Sequence, residues 1–317
     1  MIELGRKAIL PDPRSVTTSR AAKKQNPMSI SKRQFIKSFG LAAIATFNGA
    51  TLVNAQNQLS EEEPQELIRK LKNLLEGVFS AGDEDKKKCK NVVNALLKIG
   101  APAVPELINA LEDGNELVRM YVADALGGIG TPAAPAVPAL IEAMRYPGVN
   151  SMELRGSVIK ALSKIGSPAV PLLRKALKDK YLLVQIGAAD ALGEIGAIAA
   201  PAVPALIKAL EDKYVDVRIS VIRALGKIGA PAAPAVPALL EELKKPANEE
   251  MRAEVKFETE TAFVKIGVPA VPYLEKIGQD SPERKEEIQS IIKVINSTHQ
   301  EGSQKLNTAP AMSHPKP

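Results

Sequence analysis

The tripeptide Ala-Val-Pro recurs along this chain at an interval that barely varies. Its prolines are Pro105, Pro138, Pro171, Pro204 and Pro237, each 33 residues from the last, and Pro272 follows after 35. An Ile-Gly pair precedes every copy, ending at Gly100, Gly130, Gly166, Gly196, Gly229 and Gly267. A unit this short cannot bury its own apolar face, so neighbouring copies must stack. Stacked arrays bind along extended surfaces more often than they build one catalytic pocket.

One unit, Pro204 to Gly229, reads PALIKALEDKYVDVRISVIRALGKIG. Leu206, Ile207 and Leu210 are spaced for one helical face, and Val217, Val221, Leu225 and Ile228 for another. Glu211 to Tyr214 interrupts them. The spacing predicts a hairpin of two helices, a short helix A and a longer helix B. Gly229 ends helix B where a positive φ is needed. Proline in the first turn of the next helix A costs no hydrogen bond.

The linking segment comes in two sizes. Gly100, Gly166 and Gly267 precede their Ala-Val-Pro proline by five residues; Gly130, Gly196 and Gly229 precede it by eight, adding a proline-rich turn. The sixth unit is irregular. Arg119, Arg155, Gln185 and Arg218 stand 11 residues before the terminal Gly, but Arg252 stands 15 before Gly267. Four extra residues are about one turn, so that helix B should be longer.

Composition bounds the function classes. Of 42 Lys/Arg and 36 Asp/Glu, residues 1–55 hold nine and two, which leaves 33 and 34 for the rest. The basicity belongs to the N-terminal segment, whereas a nucleic-acid binder needs it on the folded body. There is no Trp, and Phe35, Phe39 and Phe47 lie in that same segment, leaving few platforms for base stacking. Cys89 is the single cysteine, so it forms no internal disulfide. It reads as a structural thiol on an apolar helix face, with a reactive thiol as the alternative.

Residues 28–56 read as an export signal. Lys32, Arg33 and Lys37 form a basic start, Phe39 to Val53 is modestly apolar, and Val53-Asn54-Ala55 is a small-x-small cleavage site before Gln56. An uncleaved amphipathic anchor is the alternative. Ser31-Lys32-Arg33-Gln34-Phe35-Ile36-Lys37 resembles the twin-arginine signal, with Lys32 in place of the first Arg; the general secretory route stays open. Met28 would give a start region of ordinary length. The expected organisation is a targeting segment at 1–55, a linker at 56–63, the array at 64–297 and a disordered polar tail at 298–317. The mature chain is expected to be exported, to the periplasm, with no transmembrane segment.

Two units carry Ala110-Leu111-Glu112-Asp113, Val118-Arg119 and Ala125-Leu126-Gly127-Gly128-Ile129-Gly130, and Ala209-Leu210-Glu211-Asp212, Val217-Arg218 and Ala224-Leu225-Gly226-Lys227-Ile228-Gly229. This pattern resembles HEAT repeats, specifically the short HEAT-like repeat of phycobilisome bilin lyases. The Thr-Pro-Leu-His signature of ankyrin repeats and the aromatic positions of tetratricopeptide repeats are absent. The resemblance implies an all-α fold, a right-handed α-solenoid of about seven HEAT-like hairpins, with helices B lining the concave face. It specifies fold, not function.

Three pairs, Asp113/Arg119, Asp179/Gln185 and Asp212/Arg218, share a spacing of six. Asp is expected to cap helix B and Arg to bridge to a neighbouring loop, with a ligand role as the alternative. Helix B also carries polar positions six and two residues before its Gly. From the second unit to the fifth, the first of these alternates Asp124, Lys160, Asp190 and Arg223. Such a row either neutralises itself or presents a mixed-charge docking surface. The candidate protein-binding residues are Tyr121, Asp124, Lys160, Lys164, Asp190, Glu194, Arg223 and Lys227. Tyr181 and Tyr214 occupy equivalent A–B corners, with Tyr146 nearby, and serve packing or docking. No catalytic, metal or dinucleotide motif is present, and both histidines, His299 and His314, fall in the tail. The iron-binding His-Glu pairs of deoxyhypusine hydroxylases, also HEAT-repeat proteins, are missing. The sequence therefore predicts a non-enzymatic scaffold that binds another protein, with no cofactor. A cofactor-attachment factor or chaperone similar to the bilin lyases, or an assembly factor for an exported redox complex, are the alternatives.

Overall fold

A computed structural model describes residues 63–75, 82–145, 151–245 and 249–307. The export signal, with Ala55 and Gln56, and Tyr146 lie outside the described residues. Within them the chain is all-α and forms seven helical hairpins. The pairs are α1 (Pro64–Leu75) with α2 (Asp83–Ile99), α3 (Val104–Ala110) with α4 (Glu116–Ile129), and α5 (Val137–Ala143) with α6 (Ser151–Ile165). Then follow α7 (Val170–Ala176) with α8 (Leu182–Ile195), α9 (Val203–Ala209) with α10 (Val215–Ile228), α11 (Val236–Glu242) with α12 (Glu249–Ile266), and α13 (Val271–Asp280) with α14 (Lys285–Asn307). Odd-numbered helices are helices A and even-numbered ones are helices B.

The local signals act as the sequence predicts. The Ala-Val-Pro proline falls in the first turn of helices α3 through α13 on the A side. The six terminal glycines all have φ between 70° and 78°. Their ψ departs from expectation: Gly130 has ψ −139° and Gly229 −141°. These are not left-handed helical caps but a more extended conformation, which a Cβ would not tolerate. α12 runs 18 residues against 14 for α10, the extra turn expected of the sixth unit. α14 continues to Asn307, into the tail expected to be disordered. No proline intervenes before Pro310, and a lone helical Gly such as Gly302 costs only about 1 kcal/mol.

The two linker sizes become two lengths of 3-10 helix. Short linkers hold one turn (Ala101–Ala103, Ser167–Ala169, Val268–Ala270), and long linkers hold two (Thr131–Ala136, Gly196–Ala202, Ala230–Ala235). Linker length sorts the packing of helices B on one another. Across long linkers, α4 on α6, α8 on α10 and α10 on α12 pack most extensively; across short ones, α2 on α4, α6 on α8 and α12 on α14 touch less.

A second sequence feature travels with the long linker. A glycine stands three residues before the terminal Gly only there: Gly127, Gly193 and Gly226, against Leu97, Ser163 and Val264 in the other units. A Cβ added at these glycines would lie 2.8 Å from Ala161 Cα, 2.9 Å from Ala224 Cα and 3.0 Å from Ala262 Cα respectively. The missing side chain lets the backbones of adjacent helices B meet, and the longer linker spans the resulting step.

Helix B is consequently buried on more than one face. In α10, Val217, Val221, Leu225 and Ile228 are buried as predicted, but so are Ile219, Ser220, Ile222, Ala224 and Gly226. Its polar strip is confined to Asp216, Arg223 and Lys227. The stretch Leu182–Ala209 is apolar enough by composition to cross a membrane, but it folds as α8, a 3-10 segment and α9, half buried in the array.

Candidate functional site

The candidate residues divide by position on helix B. Asp124, Lys160, Lys164, Glu194 and Lys227 are exposed, and Asp190 and Arg223 are half-buried on the same strip. Tyr121 does not join them. It is 7% exposed on α4, buried on the side where Cys89 sits, and burial pushes its hydroxyl pKa up. Tyr121 lies three residues before Asp124, a separation of about 300° at 100° per residue, yet enclosure by α2 decides its environment. Cys89 is itself fully buried, and burial first, then Asp85, raises its thiol pKa, which leaves it a structural thiol.

Part of the charged row neutralises itself. Lys227 Nζ lies 2.7 Å from Glu194 Oε1, joining α10 to α8. Arg223 donates to Glu258 Oε1 at 2.8 Å and Glu254 Oε1 at 2.9 Å, joining α10 to α12. Both joints fall where helices B pack closely. Across the looser α6–α8 step, no ion pair joins the two helices among the described residues, and Asp124, Lys160 and Lys164 carry none. Asp190 is different again. Burial pushes its carboxyl above the usual range, outweighing Lys227, Arg155, Arg223 and a hydrogen bond with Ser220. Paired and unpaired charges therefore both occur along the same strip among the described residues.

The Asp/Arg pairs form a ladder, but not the one expected. Asp113, Asp179 and Asp212 accept the backbone N–H of Asn115, Tyr181 and Tyr214 at 2.9, 3.0 and 2.9 Å. Those three acceptors fix the turn one step before helix B, whose N-cap residues are Asn115, Tyr181 and Tyr214 themselves. Arg119 and Arg218 donate to the carbonyls of Asp113 and Asp212 within their own unit, at 3.2 and 3.0 Å. Arg218 also bridges to the next unit, at Glu242 2.8 Å away, and the Asp carboxylates bridge to the preceding one. Lys72 holds Asp113 at 2.7 Å, Arg145 holds Asp179 at 2.9 Å, and Gln185 reaches Asp212 at 3.4 Å. Gln185, which breaks the arginine pattern in its own unit, thus serves the next one.

Two features escaped the sequence reading. Glu242 is 2% exposed at the end of α11, bonded to Arg218 at 2.8 Å and to Lys245. In the preceding units the same place is held by Ala110, Ala143, Ala176 and Ala209. A carboxylate where three of the other units bury an alanine and a fourth half-buries one is a visible signal of a buried ion pair. The second is an apolar groove of about 380 Å³ between α12 and α14, lined by Phe257, Thr261, Val264, Ile291 and Val294. It opens at a short-linker step, where helices B are least tightly apposed. No group of three His, Cys, Asp or Glu is placed to hold a metal among the described residues.

Comparison with protein-family models agrees with this architecture. The HEAT repeats family model matches residues 71–150 and 183–258, and the PBS lyase HEAT-like repeat matches 154–179. No curated protein sequence matches the chain. Among solved structures, an engineered protein is 23% identical over 65% of this chain and 96% of its own, with a TM-score of 0.33. Computationally designed armadillo repeat proteins for modular peptide recognition are 22% identical over 65% and 97%, with a TM-score of 0.36. Kap121p bound to Nup53p is 15% identical over 76% of this chain and 28% of its own, with a TM-score of 0.43. The chain is an all-α solenoid that contains HEAT repeats and a PBS lyase HEAT-like repeat.

Proposed function

We propose that this chain is an exported, non-enzymatic scaffold that binds another protein along the helix-B strip of its third to fifth hairpins. Solenoids of this kind present repeated positions in register, which suits a partner surface better than a reacting molecule. The observation that carries the reading is the open step between α6 and α8. Lys160 and Lys164 face outward there without an ion pair, while α8, α10 and α12 satisfy much of their charge among themselves. Unpaired charges flanked by a neutralised row give a partner a defined register and steer its approach. Export rests on the signal-like segment ending at Ala55.

Charge reversal tests the site. Lys160→Glu with Lys164→Glu should leave the helical content unchanged, because exposed substitutions of this kind cost about 0.5 kcal/mol or less. Capture of the partner from the exported fraction should weaken and lose its salt dependence. Unchanged capture by the double variant would place the partner elsewhere on the array.

A further inference from the structure

The corners where helix A turns into helix B carry a second surface, separate from the helix-B strip. The tripeptide Asp-Lys-Tyr stands at both the fourth and the fifth corner, Asp179–Tyr181 and Asp212–Tyr214. In each, the Asp side chain holds the Tyr backbone N–H, so the tyrosine is fixed as the N-cap residue of α8 or α10. The rings are left out in solvent, 42% and 45% exposed. Each lies under its own lysine: Lys180 Nζ is 4.9 Å from the Tyr181 ring centre, and Lys213 Nζ is 4.7 Å from that of Tyr214. Arg145 also lies over Tyr181, at 5.3 Å. Exposed rings held by a rigid backbone and flanked by cations are unusual where packing alone is at stake.

Positive charge is concentrated at the fourth-corner end of this ridge. Around the fourth corner Arg174, Lys175, Lys178 and Lys180 are exposed, and the one acid, Asp179, is already held by Arg145. None of these four cations enters an ion pair among the described residues. The fifth corner is mixed, with Lys208 and Lys213 against Glu211, Asp212 and Asp216. The rest of the folded body is close to neutral, so this is a local excess and not a general one.

We infer that the fourth and fifth corners bind an acidic peptide segment in polyproline II conformation, with an aromatic or apolar side chain every third residue. Equivalent tyrosines on adjacent hairpins are separated by one helix spacing, about 8–10 Å. A polyproline II strand brings every third side chain back to the same face after about 9 Å. One peptide therefore lays successive apolar side chains on Tyr181 and Tyr214, while its carboxylates meet Lys178 and Lys180. An α-helix would need six residues to advance as far and would rotate its side chains off the ridge.

The test is a titration of the mature chain with a short labelled peptide of repeated Glu-Pro-Phe units. Controls are repeats of Lys-Pro-Phe and Glu-Pro-Ser and a single-stranded DNA of similar charge. The ridge predicts salt-sensitive binding of the Glu-Pro-Phe peptide. Affinity should fall at least ~10-fold in Lys178→Glu with Lys180→Glu, and again in Tyr181→Ala with Tyr214→Ala. Both tyrosines cap through their backbone, so the alanine variants keep the turn. Lys160→Glu with Lys164→Glu should bind the peptide as the unmodified chain does, which separates this surface from the strip. No binding, equal binding of Glu-Pro-Ser, or tighter binding of the DNA would each overturn the inference.

Discussion

The close approach of α8 and α10 should make one glycine costly to replace. Gly193 lies in a helix interior, where Ala is ordinarily better than Gly by about 0.5–1 kcal/mol. Gly193→Ala would gain that amount but place its Cβ 2.9 Å from Ala224 Cα, a backbone atom that has no rotamer to yield. Carbon atoms settle about 3.5–4.0 Å apart, so the two helices must separate by most of an ångström. Overpacking of this kind costs about 1–3 kcal/mol, which leaves a net loss of up to about 2.5 kcal/mol. Gly156, in α6, is the internal control, since a Cβ there meets nothing within 4 Å. Gly156→Ala should therefore stabilise, by about 0.5–1 kcal/mol. Urea unfolding followed by circular dichroism reads both, and the opposite signs are the diagnostic. If Gly193→Ala stabilises as Gly156→Ala does, the helices B do not meet backbone to backbone, and the link between long linkers and close packing is wrong.

Other outcomes follow from burial, charge and processing. Leu225, fully buried, should cost about 2–5 kcal/mol as Leu225→Ala, whereas Lys227→Ala loses only an exposed pair and about 0.2–1 kcal/mol; chemical unfolding compares them, and equal losses would contradict the assignment of helix faces. Asp179 and Asp190 should respond to pH in opposite directions. Burial alone would push the Asp179 carboxyl up, but the Tyr181 N–H and Arg145 together hold it below the usual range, so its contribution is present at neutral pH and fades as pH falls through that lowered value. Arg145→Gln should accordingly lower the melting temperature at neutral pH and converge with the unmodified chain in acid. The Asp190 carboxyl is raised, so its ionisation costs stability as pH rises through the raised value; Asp190→Asn should be stabilising at neutral pH and neutral in effect at acid pH. N-terminal sequencing of the native protein should begin at Gln56, and an intact chain beginning at Met1 or Met28 would contradict export.

Most of the architecture is legible because the repeat reports each decision several times. The period, the terminal glycines, the prolines of helix A, the two linker sizes and the longer α12 are all local signals, and each fixes a backbone geometry directly. What was not legible depends on neighbours in space. Tyr121 falls near Asp124 in sequence, yet it is enclosed by the preceding hairpin. Asp113, Asp179 and Asp212 have the spacing of a cap, but they stand two residues before the N-cap and hold its N–H, and their other partners come from the preceding unit. Gly127, Gly193 and Gly226 were visible in the long-linker units alone; only the packing of helix B on helix B gives them a meaning. Glu242 is the clearest case, a charge at a position that four other units fill with alanine, balanced by Lys245 three residues on and by Arg218 from the preceding hairpin.

The central claim is that the helix-B strip at the α6–α8 step docks a partner protein, and cross-linking from that strip tests it most directly. A photoreactive amino acid would be placed at position 160, at position 194 and, as a control, at position 87 on α2, and activated in cells that make the chain. Positions 160 and 194 should yield the same discrete adduct with one protein, lost when Lys164 is changed to Glu, and position 87 should not. Adducts of equal yield from all three positions, or none from 160 and 194, would contradict the account.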